Sequence, residues 1–137
     1  MRRHLLKFFL QRSCSLLGND YAELANEYSR PLLLHFMAAS LILARERQFC
    51  HVLGWQRSRL QEAGITALTP SVREIEYGVN GLLYCDVLWQ SCGGVLGKEV
   101  PVGYYLDLSN GRPAIEMIEF AMPLPEDLRA RCTGKIA

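Results

Sequence analysis

A chain of 137 residues fits one domain, because a single core of this size can bury roughly two-thirds of the unfolded surface. Half of the residues are hydrophobic and 21% are charged, a balance too apolar for a disordered chain. The formal net charge of +1 provides no overall field to hold a polyanion, so nucleic-acid binding by bulk electrostatics is disfavoured.

Residues 1–18 carry Arg2, Arg3, Lys7 and Arg12, and no acid precedes Asp20. Lys7 interrupts the apolar side chains of residues 5–10, which argues against the unbroken core of a secretory signal. Three readings stay open. The segment is a basic amphipathic leader, suited to a membrane surface or to mitochondrial import, or it is a frayed helix packing its Leu and Phe side chains on the domain, or residues upstream of the true start. Membrane contact by residues 1–18 is the disfavoured one of these. No stretch approaches the roughly 20 apolar residues of a spanning helix.

Asn19 or Asp20 can cap a helix in which Tyr21, Leu24, Ala25 and Tyr28 recur at helical spacing, and Pro31 is expected to end it. Residues 32–36 suit a short buried strand, although so brief an apolar run also suits a helix, and 41–43 is a candidate smaller strand leading into the next helix. The stripe Phe49, Val52, Leu53, Gln56, Leu60 and Ala63 predicts an amphipathic helix that stops at Gly64. The texture then changes to period two, giving strands over 68–77, 82–90, 98–108 and 114–120. Asn80-Gly81 and Asn110-Gly111 are expected to supply the positive φ angles of tight hairpins, and a glycine-rich bend at Gly93, Gly94 and Gly97 joins the middle strands. Residues 126–131 suggest one helical turn.

The order of elements resembles the NTF2-like superfamily, on the segments Y-S-R-P-L-L-L-H-F, R-L-Q-E-A-G-I-T, V-R-E-I-E, G-L-L-Y-C-D-V-L-W, V-P-V-G-Y-Y-L-D and G-R-P-A-I-E-M-I-E-F. These resemble small bacterial members of unassigned function over residues 19–122. The resemblance implies an α+β, cone-shaped fold in which N-terminal helices pack on a curved four-stranded antiparallel sheet. The domain is expected over 19–125, with a tail over 126–137. It also implies a conical cavity and a homodimer formed through the outer face of the sheet.

Function has to be argued from a site. An isomerase of this fold needs a carboxylate base and a hydrogen-bond donor for the developing oxyanion. Asp86 is the candidate base, and Tyr84 or Tyr104 the candidate donor; neighbouring Tyr104 and Tyr105 must point to opposite faces of their strand. His35 is a candidate general base, as is His51. For each of these the plain reading is structural: Asp86 paired with an arginine on the outer face, tyrosines serving as ordinary sheet residues, histidines satisfied locally. The five scattered cysteines show neither a C-x-x-C pair nor a histidine partner pattern, so no metal is expected, and they suit a reducing cytoplasm. The glycine bend lacks the helix and the Lys-Ser pair of a phosphate loop, so no cofactor is expected. Arg45, Arg47, Arg57 and Arg59 read as a solvated helix face. The leading expectation is a noncatalytic domain that binds a small apolar ligand or a protein partner. The alternative is an isomerase, dehydratase or cyclase acting on a hydrophobic ketone-like substrate with Asp86 as base.

Overall fold

The computed structural model describes residues 1–18, 24, 26–78, 81–93, 99–109 and 111–132. In chain order these form α1 (Arg2–Leu17), β1 (Tyr28–Met37), β2 (Ala39–Leu43), α2 (Glu46–Glu62), β3 (Ile65–Tyr77), β4 (Leu82–Gly93), β5 (Glu99–Asp107), β6 (Ala114–Pro123) and α3 (Glu126–Cys132). The four expected strands are the meander β3 to β6, each antiparallel to the next. The sheet is larger than expected, however. The hairpin of β1 and β2 adds to the free side of β6, with β1 running parallel to it, so six strands lie in the order β2-β1-β6-β5-β4-β3. The sheet is therefore mixed, not a four-stranded antiparallel one.

Tyr28 belongs to β1 and not to the expected helix, and Pro31 lies inside that strand. Proline is tolerated there because it falls in a register shift, between the pairs Tyr28↔Ile115 and Leu33↔Met117, where no ladder donor is required. The proposed caps Asn19 and Asp20, together with Tyr21 and Ala25, lie outside the described residues. So do Asn80, Asn110 and the bend at 94–97. Gly81 and Gly111 do adopt positive φ, 75° and 79°, as tight turns between strands require. The turn between β1 and β2 instead places Ala38 at φ 63°, a region alanine enters only at a cost.

Residues 2–17 form a helix whose Leu5, Phe8 and Phe9 are buried, and Phe9 is entirely so. Its ring lies 4.6 Å from that of Tyr104 and 6.1 Å, edge-on, from that of Trp89. α2 begins where Gln48 Oε1 accepts the backbone N–H groups of Ala44 and Arg45, and it ends just before Gly64. Arg57 Nε donates to the Leu17 carbonyl at 3.3 Å, so one helix satisfies the open C-terminus of the other. Both helices cover the same face of the sheet. Under them, Leu83, Cys85 and Val87 of β4 face inward with Val102, Tyr104 and Leu106 of β5 and Ile115 and Ile118 of β6.

Truncating Phe9→Ala removes a fully buried ring and should cost about 3–5 kcal/mol in a urea denaturation series. An unchanged midpoint would place α1 outside the cooperative core. Ala38→Gly should gain about 0.5–1 kcal/mol by the same measurement, since relief of the left-handed strain exceeds the added entropy of the unfolded chain.

Candidate functional site

Alternation along β4 decides which polar side chains reach the covered face. Because Cys85 and Val87 point inward, Tyr84, Asp86 and Leu88 point outward. The register carries this choice across the sheet. Asp86 stands opposite Gly103, Gly103 opposite Glu119, Glu119 beside His35, and His35 opposite Ser40, so one outer row collects these residues.

In that row Asp86 is paired with Arg73, whose Nε and Nη2 donate to Oδ2 at 2.9 and 2.8 Å. Tyr84 lies over Gly103 so closely that a Cβ there would stand 2.9 Å from its ring, so a larger residue at 103 would require Tyr84 to shift. Its phenol pKa is raised by partial burial and by the neighbouring carboxylates of Asp86 and Glu119. Tyr105 donates to Glu119 Oε1 at 3.4 Å. His35 is exposed and its Nδ1 lies 2.9 Å from Ser40 Oγ. Asp86, Tyr84 and His35 are thus on the outer face, and of the four candidates Tyr104 alone reaches the covered side. Asp86 and Tyr84 stand side by side on the outer face, and neither is brought to the covered side with Tyr104.

The covered side holds a cavity of about 350 Å³ between α1, α2, the inner face of the sheet and α3. Leu16, Leu34, Phe36, Leu53, Val102 and Phe120 are typical of its apolar wall. Both tryptophans of the chain, Trp55 and Trp89, also line it. Among the described residues no Asp, Glu, His, Lys or Cys side chain lines the cavity. Nor, among those residues, does any group of three or more His, Cys, Asp or Glu stand close enough to hold a metal ion. No helix among them is long and apolar enough to cross a membrane.

Two polar corners interrupt the wall. At the inner one Arg12 stacks its guanidinium 4.7 Å from the centre of the Tyr28 ring, donates to the Tyr28 hydroxyl, and pairs with Glu27 at 3.3 Å. Burial works against the charge of Arg12, but Tyr28, Tyr104 and Glu27 together outweigh it and leave the pKa raised. Beside it the Tyr104 oxygen accepts the Trp89 indole N–H at 2.9 Å. Burial pushes the Tyr104 phenol up to about 12, partly offset by Arg12 and by the Trp89 hydrogen bond. At the mouth, Arg59 stacks over Trp55 at 5.4 Å, and both donate to Asp127 of α3, at 3.2 and 2.7 Å respectively. That tie holds α3 in place, with Leu128 buried over the cavity.

Arg12 is the residue that sequence reasoning missed. Its signal is present: Leu5, Phe8, Phe9, Arg12, Ser13 and Leu16 fall on one helical stripe, which puts a guanidinium on the buried face. Arg59 reads in the sequence as part of a solvated face, and half of its side chain does remain exposed.

The fold of this arrangement is similar to that of solved NTF2-like proteins. An NTF2-like protein of unknown function from Shewanella oneidensis MR-1 is similar over 87% of this chain and 97% of its own, with a TM-score of 0.64 and 11% identity. Aln2 from a Streptomyces species is similar over 93% of this chain and 92% of its own, with a TM-score of 0.65 and 13% identity. An NTF2-like protein with a cystatin-like fold from Novosphingobium aromaticivorans is similar over 95% and 87%, with a TM-score of 0.58 and 10% identity. The chain has the NTF2-like α+β fold. No protein-family model matches it, and no curated protein matches it at significant similarity.

Tyr104 binds its proton more tightly in the folded chain than in the unfolded one, where its value is 10.0. Its contribution to stability is complete below pH 10 and fades as pH rises toward 12. Denaturation at pH 9 and pH 11.5 should therefore show an alkaline loss in the wild type that is smaller in Tyr104→Phe. Equal losses in the two proteins would show that Tyr104 is not the group that titrates.

Proposed function

We propose that the protein is a noncatalytic binding domain that takes a small, mainly apolar ligand into this cavity. The observation that carries the reading is the wall itself: apolar side chains around a volume at the small end of the about 300–1,000 Å³ typical of ligand sites, with few polar groups. Proton abstraction from a bound substrate needs a base within hydrogen-bond reach, and the described lining has neither a carboxylate nor an imidazole. Asp86 is held by Arg73 on the opposite face of the strand, where it cannot serve a ligand bound inside.

Because both tryptophans line the cavity, their fluorescence reports occupancy. Titration with a neutral apolar probe such as phenylnaphthylamine should quench them saturably, at one probe per chain. Filling the space by Leu68→Phe with Val102→Phe should abolish the quenching and change stability by no more than about 1–3 kcal/mol. Failure of a panel of neutral aromatic, steroidal and long-chain probes to bind saturably would sink the proposal.

The outer face supports a second copy of the chain as partner, since Leu88, Tyr84, Tyr105 and Met117 stand there half-buried in a single chain. Sedimentation velocity at micromolar concentration should give a dimer that Leu88→Glu dissociates. A wild-type monomer would remove the partner.

A further inference from the structure

We propose that α3 is the gate of the cavity, closed by the tie of Asp127 to Trp55 and Arg59, and that a ligand enters and leaves only when this tie opens. This rests on the reading of the cavity as a ligand site and specifies how that site is reached. The lining residues that stay exposed mark where the cavity meets solvent: Arg59 of α2, Val100 at the start of β5 and Met122 at the end of β6. Met122 stands just before α3 in the chain, and Arg59 is bonded to it. α3 closes this end with two adjacent side chains. Leu128 is 1% exposed and lines the cavity, while Asp127, half exposed, holds α2 at the rim. Trp55 both lines the cavity and donates to Asp127, so the tie lies at the edge of the space a ligand would fill.

The closure is built to be reversible. A single carboxylate carries it, accepting the Trp55 indole N–H at 2.7 Å and Arg59 at 3.2 and 3.3 Å, from two residues one turn apart on α2. Because both members of the ion pair are about half exposed, water and salt compete for it. Among the described side chains of α3, Leu128 alone is buried. The approach to the helix is stiff, by contrast: Pro123 and Pro125 bracket Leu124, which packs on the core, so α3 turns about a fixed point. A short helix held by one exposed tie and one buried side chain opens at a far lower free energy than the fold as a whole.

Stopped-flow mixing of the intact protein with phenylnaphthylamine, followed by tryptophan quenching, tests the gate. A gate limits entry and exit together. Asp127→Ala should therefore raise the association and dissociation rate constants by a similar factor, about fivefold for the loss of one exposed, hydrogen-bonded ion pair, and leave the dissociation constant within about twofold. In the wild type both rate constants should also rise between about 0.02 M and about 0.5 M sodium chloride, as screening loosens the pair, and by more than in Asp127→Ala. The probe is neutral, so any effect of salt on the probe itself is common to the two proteins. Arg59→Gln breaks the same tie from α2 and should act in the same direction; it stands in where Asp127→Ala fails to fold. Rate constants unmoved by these substitutions, with equal salt responses, would overturn the gate and leave the cavity as a ligand site. Faster dissociation with unchanged association would overturn it too, because Asp127 would then be holding the ligand and not the helix. If no neutral probe binds, the cavity is not a ligand site and both readings fall.

Discussion

The seating of Phe9 between Tyr104 and Trp89 is the contact on which the rest of the molecule depends. It presses α1 onto the inner side of β4 and β5, and so makes that side the covered one. A sheet with apolar side chains on both faces needs such a decision. Once it is made, alternation along β4 turns Asp86 and Tyr84 outward, and the cross-strand register sends Glu119 and His35 with them. The same helix then carries Arg12 one turn beyond Phe9 to the inner end of the cavity.

Where local chemistry suffices, the chain can be read directly. The four strands of the meander lie within a few residues of their expected bounds, because period-two texture and turn glycines mark them. The amphipathic stripe through Phe49, Val52 and Leu53 likewise gives α2 and its stop before Gly64. β1 is harder. Tyr28 to Pro31 resembles a helix ending at a proline, and only the register shift beside β6 makes proline acceptable in a strand paired on both sides. The β1–β2 turn leaves no mark at all, since Ala38 in the left-handed region is not a residue that announces a turn.

The site is less legible than the fold, for a reason visible in two residues. Asp86 draws attention because its strand is apolar on either side of it, and a two-sided strand does not say which face will be covered. Arg12 reads as part of a basic segment because its partners, Glu27 and Tyr28, lie fifteen and sixteen residues further on. A buried arginine is acceptable only when such partners arrive, and their arrival is a property of the fold. Tyr104 and Tyr105 must face opposite ways, but which of the two is covered depends on the helix above them.

Arg12 and Phe9 ride on the same rigid helix, which gives the inner corner a further property. Whatever occupies that corner touches the element that roofs it, so docking of α1 and filling of the cavity share one free energy. Occupancy strengthens the grip of the helix by as much as a well-seated helix strengthens occupancy. The roof of this cavity is in that sense part of what it holds.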